Sequence, residues 1–404
     1  MANHETRSFY IGTDYDERRV SWSPEQEKNP HLVVVGESGT GKTQTLKALI
    51  EESKSWGVGH VILDYHDEYR DISTKSVDIR YGISINPLEL SGKPEVDTAY
   101  EIAGIFRRLG LVGGDQQEAI FRKAILRAYG IDSDRSMRPI PNLAPSSTPT
   151  FKEVKRCLNQ LEATDSHAKR VVPALLNRLG VIFDLGLFSK PTTIPFDDLV
   201  RGTSTISLKT LPTEETRFVV ADFFLRKLWD YVYRWDKTND LRVFCILDEA
   251  HRLAYPKSPV DRMLREARKY GVGMVLASQS PHDFDPIVLA NAATRISFRC
   301  HEDSDAQFMA QQLGCQPGLL ASLSQAGEAV VSLGSVDGFD RVRVVSHDNR
   351  KEGSPDEKPS APPTREKEAE DVSKTDSKKL GFVGQVSFGK GGKMKGTASL
   401  KNWK

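Results

Sequence analysis

An octapeptide near the start of the chain has the residue types and spacing of a phosphate-binding loop. Residues 36–43 read GESGTGKT and match the pattern G-x-x-x-x-G-K-[ST] at every fixed position. The glycines let the backbone approach an anion, and N–H groups at the start of the following helix hold phosphate oxygens. Lys42 would add positive charge, and the Thr43 hydroxyl would bind magnesium. The expected nucleotide contacts are Gly36, Glu37, Ser38, Gly39, Thr40, Gly41, Lys42, Thr43 and Gln44.

Two neighbouring carboxylates follow a second apolar run, about two hundred residues later. Asp248 and Glu249 come directly after residues 243–247, which read VFCIL. We expect Asp248 to hold magnesium through its water shell and Glu249 to polarise the water that attacks the γ-phosphate. Gln279 follows a further apolar run, where its amide would contact the γ-phosphate or orient that water. These residues predict a site that binds a nucleoside triphosphate and Mg²⁺ and hydrolyses the nucleotide.

Short apolar runs that alternate with helical patterns must position these residues. The runs predict an α/β fold with a mainly parallel sheet, in which functional groups gather at the carboxyl ends of the strands. Asp64 ends the second run and is a candidate for a place near magnesium, although a solvated turn explains it equally well. The predicted strands are 32–35, 61–64, 205–208, 243–247, 273–277 and 294–299, with helices at 44–55 and 214–234 and a closing hairpin at 329–333 and 341–345.

Three regions are predicted along the chain. Residues 1–30 are a small β lead-in, residues 31–345 form the ATPase domain, and residues 346–404 form a tail. A mostly helical insertion is expected at about 90–200, because its apolar residues have helical spacing. Its predicted helices are 95–109, 116–129, 151–162 and 168–187, with a loop at 132–149 and a short strand ending at 86–88 before it.

The composition excludes several classes of protein. A net charge of +1 over 404 residues gives no sign that the whole surface binds nucleic acid, so any basic surface must be local. The four cysteines lack metal-ligand spacing and are expected to be reduced. Residues 1–7 do not resemble a signal peptide, and no apolar run reaches the roughly 18 residues of a membrane helix. We therefore expect a cytoplasmic protein without a membrane partner.

The tail changes in composition. Residues 351–376 are rich in Pro, Ser, Glu and Lys, which predicts disorder. Residues 378–404 contain no acidic residue and carry phenylalanines and a tryptophan among glycines, a composition that suits nucleic acid or an acidic partner. A solubilising tail is the alternative. The lysines of this end are Lys378, Lys379, Lys390, Lys393, Lys395, Lys401 and Lys404.

With these motifs in place, the chain resembles the FtsK–HerA superfamily of P-loop ATPases, and most of all its HerA (DUF87) branch. The resemblance rests on four stretches that cover most of residues 8–345. They are IGTDYDERRVSWSPEQEKNPHLVVVGESGTGKT, then VILDYHDEY followed by INPLEL, then FCILDEAHRL, and finally LREARKYGVGMVLASQSPHDFDPIVLANAATRISFR.

The resemblance implies a RecA-like α/β core that binds ATP and Mg²⁺. It also implies a hexameric ring that uses ATP to move DNA, duplex DNA above all, through a central channel. It also implies a partner such as a nuclease or a defence-system protein. By motif, Lys42 and Thr43 belong to Walker A, Asp248 and Glu249 to Walker B, and Gln279 is the sensor. Arg268, in the sequence REARK, would be the arginine finger that reaches a neighbouring subunit, with Arg265 or Arg295 as the next candidates.

One feature departs from the pattern of the HerA branch. Its members usually carry an N-terminal β-barrel that docks the nuclease, and the short segment before Gly36 predicts a chain without it. Two other functions compete with a DNA translocase. One is a nucleotide-dependent switch that binds a protein and never moves along DNA, and the other is a packaging or conjugation motor.

Overall fold

A computed structural model describes residues 7–132, 138–139, 148–279, 281–284 and 286–350, and its central feature is one mixed sheet of eleven strands. Two further short strands pair with each other inside the insertion. The strands are β1 (Phe9–Asp14), β2 (Arg19–Trp22), β3 (Leu32–Val35), β4 (Gly59–Asp64), β5 (Lys75–Asp78), β6 (Ile131–Asp132), β7 (Arg138–Pro139), β8 (Thr203–Ser207), β9 (Thr238–Leu247), β10 (Tyr270–Ser278), β11 (Thr294–Ser297), β12 (Glu328–Ser332) and β13 (Asp340–Val344).

The helices cover both faces of this sheet. They are α1 (Lys42–Lys54), α2 (Glu95–Arg108), α3 (Gly114–Ala128), α4 (Phe151–Thr164), α5 (Ala168–Asp184), α6 (Phe196–Leu199), α7 (Glu214–Val232), α8 (Pro259–Glu266), α9 (Pro286–Asn291), α10 (Asp303–Leu313), α11 (Pro317–Ala321) and α12 (His347–Arg350).

The strand order is β2-β1-β13-β12-β11-β3-β10-β9-β4-β8-β5. From β11 to β5 all neighbours run parallel, and from β2 to β11 all neighbours run antiparallel. The parallel strands β3, β4 and β10 are buried along their whole length, because helices cover both faces of a parallel sheet. The predicted α/β fold with a mainly parallel sheet is confirmed.

The side chains of β3 alternate between two hydrophobic layers, one on each face of the sheet. Leu32 and Val34 pack in the cluster that includes α1, whereas Val33 and Val35 pack in the cluster that includes α7 and the insertion. Successive side chains of a strand point to opposite faces, so four apolar residues in a row serve both layers. The strand that precedes the phosphate-binding loop is therefore held from both sides.

The antiparallel part of the sheet joins the first and last described strands. β1 pairs with β13, with Gly12 opposite Val344, and β2 extends the ribbon outward. A Cβ atom on Gly12 would lie 2.0 Å from the carbonyl oxygen of Arg343, so only glycine fits this close approach. The predicted β lead-in is part of the same sheet as the ATPase core.

The helical insertion packs on α7 through a cluster of phenylalanines. The ring of Phe106 on α2 lies 5.1 Å from Phe121, 5.4 Å from Phe151 and 6.0 Å from Phe223, measured between ring centroids. Phe223 belongs to α7, so this cluster attaches the insertion to the core. Truncating a buried Phe of this kind costs roughly 3–5 kcal/mol. The predicted helices of the insertion correspond to α2, α3, α4 and α5.

Several local predictions differ from the structure. No strand ends at residues 86–88; the strand of this region is β5, an edge strand whose one buried residue is Val77. The predicted loop at 132–149 contains the short β6–β7 pair. The tail was expected from residue 346, but residues 347–350 form α12, which contacts α1. The remainder of the predicted tail, including its lysines, lies outside the described residues.

All four cysteines are free thiols, as expected. Among the described residues, no helix is long and apolar enough to cross a membrane.

Candidate functional site

The carboxyl ends of the parallel strands bring the predicted site together. The phosphate-binding loop follows β3, Asp248 and Glu249 follow β9, and Gln279 follows β10, which lies between β3 and β9. These segments surround an open cavity of about 680 Å³. The predicted site residues that line it are Ser38, Gly39, Gly41, Lys42, Thr43, Gln44, Asp248, Glu249 and Gln279.

Gly36, Glu37 and Thr40 do not line the cavity but shape the loop. The Gly36 and Glu37 N–H groups donate to carbonyls of Ser278 and Arg299, at 3.3 and 3.2 Å. The Thr40 hydroxyl donates to the Glu37 carbonyl at 2.8 Å. A Cβ on Gly36 would lie 2.5 Å from that of Phe298. These contacts fix the loop between the neighbouring strands.

Lys42 is buried beneath the loop. Its Nζ donates to the carbonyl oxygens of Gly36 at 2.6 Å and Glu37 at 2.8 Å. Burial lowers the pKa of Lys42, while the carboxylates of Asp248 and Glu249 oppose that shift. The ammonium group is therefore held inside the loop by two main-chain carbonyl oxygens, beside the cavity that Lys42 lines.

Asp248 is a buried carboxylate with two internal donors. Its Oδ2 accepts a hydrogen bond from the Tyr69 hydroxyl at 2.8 Å, and its Oδ1 accepts one from the Glu249 N–H at 3.1 Å. Burial raises the pKa of Asp248, the charges of Glu249 and Glu68 raise it further, and the Tyr69 hydrogen bond and Lys42 oppose the rise. A nearby cation would thus stabilise the ionised form.

Glu249 adopts a left-handed backbone conformation, with φ at 57°. This conformation is strained for a residue other than glycine, and strained residues cluster at functional sites. Its Oε1 accepts a hydrogen bond from Gln279 Nε2 at 2.7 Å, and its Oε2 lies 3.5 Å from Nδ1 of His251. The predicted base and the predicted sensor are therefore in direct contact.

The residues present fit a magnesium–nucleotide complex. The N-terminus of α1 has no side-chain cap, so its first-turn N–H groups face the cavity side of the loop without a side-chain acceptor. Nothing lies within 4 Å of a Cβ built on Gly39, which leaves room for an anion. The hydroxyl of Thr43 and the carboxylate of Asp248 are hard oxygen ligands of the kind that Mg²⁺ prefers.

Asp64 is buried, but it does not line the cavity. Its carboxylate accepts hydrogen bonds from the N–H groups of His66, Asp67 and Tyr69, at 3.0, 2.8 and 3.0 Å. Asp64 thus fixes the turn after β4, and the side-chain hydrogen bonds that the described residues show for it all come from main-chain N–H groups of that turn. Sequence reasoning missed Tyr69 and His251, although both lie in stretches that it singled out.

The arginine candidates lie away from the cavity. Arg268 is in a short 3-10 helix just before β10, at the amino end of that strand, whereas the cavity lies at the carboxyl ends of the strands. Its guanidinium donates to the Lys28 carbonyl. Arg265 pairs with Asp261 at 2.8 Å, and Arg295 donates to the Leu289 carbonyl. Among the described residues that line the cavity, none is an arginine.

Comparison with known families gives matches across this chain. A model described as "Helicase HerA, central domain" matches residues 10–228, more than half of the chain. A model described as "Type IV secretion-system coupling protein DNA-binding domain" matches residues 208–326. The two matches overlap in α7 and together include every segment of the site.

Curated relatives share about a quarter of their aligned residues with this chain. The DNA double-strand break repair helicase HerA of Saccharolobus solfataricus is 24% identical over 322 residues, 74% of this chain and 61% of that protein. The DNA import protein CedB of Sulfolobus acidocaldarius is 23% identical over 294 residues, 69% of this chain and 45% of that protein. The chain spans at most 61% of the length of these two relatives.

Solved structures show the same fold. VirB4 of Thermoanaerobacter pseudethanolicus has a TM-score of 0.66 at 19% identity, covering 84% of this chain and 96% of that one. The plasmid coupling protein TrwB in complex with ADP and Mg²⁺ has a TM-score of 0.56 at 14% identity, covering 80% and 86%. Because the HerA model matches more than half of the sequence, the chain belongs to the HerA central-domain family, within the FtsK–HerA superfamily of P-loop ATPases.

Proposed function

We propose that this protein hydrolyses ATP with Mg²⁺ in the cavity at the carboxyl ends of its parallel strands. The observation that carries the proposal is the convergence of Lys42, Asp248, Glu249 and Gln279 on that cavity from three strands. Thr43 and Asp248 would hold the magnesium ion. When bound there, Mg²⁺ would neutralise charge on the phosphates during transfer.

Lys42, Glu249 and Gln279 would each have a separate role in hydrolysis. Lys42 lies at the loop and can turn its ammonium group toward phosphate oxygens. Glu249 can take a proton from an attacking water once its Oε1 is released from Gln279, since the same oxygen atom now accepts the amide hydrogen bond. Gln279 is then left with a donor that can face the γ-phosphate. Binding of nucleotide would therefore coincide with separation of this pair.

Two substitutions test the site. Lys42→Ala should abolish tight nucleotide binding, and Glu249→Gln should bind ATP but hydrolyse it roughly 10² to 10⁴ times more slowly, because a carboxamide is a poor base. A fluorescent ATP analogue reports binding, and phosphate release reports turnover. Lys54→Ala is the control, since Lys54 ends the same helix and contacts Glu51 and the Ile72 carbonyl instead. Normal turnover in either site variant would place the active site elsewhere.

We further propose that the ATPase works as a ring, hexameric in the pattern of its superfamily, that moves along duplex DNA. Membership of the HerA family supports this proposal, as does the match to a coupling-protein DNA-binding domain. The relatives' names refer to DNA repair helicases and DNA import. A nuclease or defence-system protein is the partner class that we propose on the same basis.

DNA-stimulated ATPase activity separates the motor from its main rival. A translocase should hydrolyse ATP faster with linear duplex DNA, with a rate that rises with DNA length, and should displace a triplex-forming strand from it. A nucleotide-dependent switch that binds only protein should do neither. A rate that stays unchanged at every DNA length and salt concentration would reject the motor.

A packaging or conjugation motor is the remaining alternative, and the coupling-protein match favours keeping it. A packaging or conjugation motor and the proposed translocase would both have DNA-dependent ATPase activity. The two differ in what the ring assembles with, which affinity purification of the tagged protein from its native cells would reveal. A nuclease supports the repair or defence role, whereas capsid or secretion components support the alternative.

A further inference from the structure

Tyr69 contacts the site from outside the Walker A and Walker B motifs. Its side chain is completely buried, and its hydroxyl donates to Oδ2 of Asp248 at 2.8 Å across 179 residues of sequence. β4 lies directly beside β9, with Leu63 opposite Leu247, so the ends of the two strands are neighbours. The contact is therefore built by the sheet and does not depend on a flexible loop.

The turn that carries Tyr69 is fixed at both ends. Asp64 accepts the N–H of Tyr69 at 3.0 Å, together with two other N–H groups of the turn. On the far side, the Ser73 hydroxyl donates to the Tyr69 carbonyl at 2.7 Å. The ring packs in the core cluster beside α1. These contacts leave the phenol little freedom to turn away from Asp248.

We propose that Tyr69 is a positioning residue that holds the Asp248 carboxylate in place for the magnesium–nucleotide complex. With Oδ2 held by Tyr69 and Oδ1 by the Glu249 N–H, the carboxylate keeps further lone pairs for the cavity. Groups that orient a metal ligand in this way typically change metal affinity 10- to 100-fold when removed. The inference rests on the proposed magnesium-dependent site.

Tyr65 is the matched control within the same turn. It is also a buried tyrosine, but its hydroxyl has no hydrogen-bond partner in the part of the chain that the structure describes. Replacing Tyr65 by Phe therefore removes one buried oxygen without removing a contact to the site. Any effect common to Tyr65→Phe and Tyr69→Phe would reflect packing, and any effect unique to Tyr69→Phe would reflect the hydrogen bond to Asp248.

The test measures metal binding directly. Mn²⁺ is titrated into each full-length variant with a non-hydrolysable ATP analogue, and electron paramagnetic resonance gives the dissociation constant of the metal. In Tyr69→Phe we expect that constant to rise about tenfold. Binding of the analogue in EDTA should not change, because the hydrogen bond that the Tyr69 hydroxyl donates goes to Asp248 and not to the phosphate-binding loop. Tyr65→Phe should match the unmodified protein in both measurements.

A second substitution tests the same arrangement through the main chain. Asp64→Asn leaves the phenol in place but weakens the acceptor that holds the Tyr69 N–H, so Mn²⁺ affinity should fall as well. An unchanged Mn²⁺ constant in a folded Tyr69→Phe variant, or an equal loss in Tyr65→Phe, would overturn the proposal. Failure of the unmodified protein to bind the analogue at all would instead reject the proposed ATPase site, so the two failures are distinguishable.

Discussion

The Asp248 carboxylate lies in an unfavourable place for a charge when no cation is near. It is buried, and the carboxylates of Glu249 and Glu68 lie close enough to raise its pKa in the same direction as burial does. A carboxyl group with a raised pKa in the folded state stabilises the fold when protonated, and that stability is lost as pH rises through the folded pKa. At neutral pH the ionised Asp248 therefore costs stability, which is consistent with a site that is built for a cation.

This argument predicts that Asp248→Asn stabilises the protein without ligand. The amide removes the buried charge but keeps an oxygen that can accept the Tyr69 hydrogen bond. We expect the free energy of unfolding in urea at pH 7.5 to rise by about 1 kcal/mol, the usual size of a single-residue effect. The thermal shift produced by Mg²⁺ and ATP should disappear in the same variant. Asp184→Asn, at the exposed end of α5, serves as control, and a lower unfolding free energy in Asp248→Asn would contradict the argument.

Short-range sequence patterns were sufficient to select residues that the structure brings together at one cavity. Gly36 to Thr43 and Asp248–Glu249 adjoin apolar strands, so motif and element support each other. The role of Tyr69 was not predictable, because its partner lies 179 residues away and a tyrosine in a polar turn carries no local signal. The left-handed backbone of Glu249 was equally hidden, since nothing in the residue type requires it.

At the scale of elements, β4 depends on a buried histidine. His60 lies between α1 and β8, with one ring nitrogen 2.8 Å from the Ser53 hydroxyl and the other 3.1 Å from the Thr203 hydroxyl. Burial lowers the pKa of His60 from 6.5 to about 3, with a further contribution from Lys54. The ring is therefore neutral in the folded protein across the physiological range.

A pH dependence of stability follows from His60. Because the pKa of His60 is lower in the folded protein, the unfolded chain binds a proton at a higher pH than the folded protein does. The stability that neutral His60 contributes is therefore fully present above pH 6.5 and is lost as pH falls from 6.5 toward 3. One such group contributes a slope of about 1.4 kcal/mol per pH unit within that window. Urea unfolding between pH 7.5 and 5 should show a shallower slope for His60→Asn. Substitution of the exposed His167 should leave the slope as it is, and an unchanged slope in His60→Asn would refute the assignment.

Edge elements were harder to predict than central ones. β3, β9 and β10 are apolar runs because both faces are covered, and all were expected from the sequence. β5 reads Lys75-Ser76-Val77-Asp78 and has a single buried residue, so no alternation identifies it. It forms because the edge of β8 offers hydrogen-bonding groups, which is a property of the sheet and not of these four residues.

At the scale of the whole molecule, the cavity lacks an arginine among the described residues that line it, although phosphoryl transfer commonly uses one. Arg268 precedes β10, whereas the cavity lies beyond the other end of that strand, roughly 26 Å away along eight residue steps. Arg268 therefore cannot serve the cavity of its own chain. Our proposal that it acts as an arginine finger requires a neighbouring subunit, as in a ring.

Mixing of variants tests this proposal. Arg268→Ala should bind ATP and lose hydrolysis by about a thousandfold or more, and Glu249→Gln should also be inactive. Mixed rings would contain interfaces that pair an intact Glu249 with an intact Arg268, so part of the activity should return. Phosphate release at several mixing ratios measures it, with Lys269→Ala as the control, since Lys269 is an exposed basic residue next to Arg268. If mixed rings form and no ratio restores activity, Arg268 is not the finger, and Arg265 or Arg295 should be substituted next.

The pairing of β1 with β13 also affects how the chain folds during translation. β1 is translated long before β13, one of its two partners, which ends at Val344, and the two neighbours of β3 come from residues 270–278 and 294–297. Domains generally fold as units, with N-terminal segments made first, and unpaired strand edges are prone to aggregation. β3 and the phosphate-binding loop are thus translated well before either strand that pairs with β3, so the nascent chain must leave both edges of β3 unpaired until β10 and β11 have been synthesised, whereas β1 can pair with β2 at once.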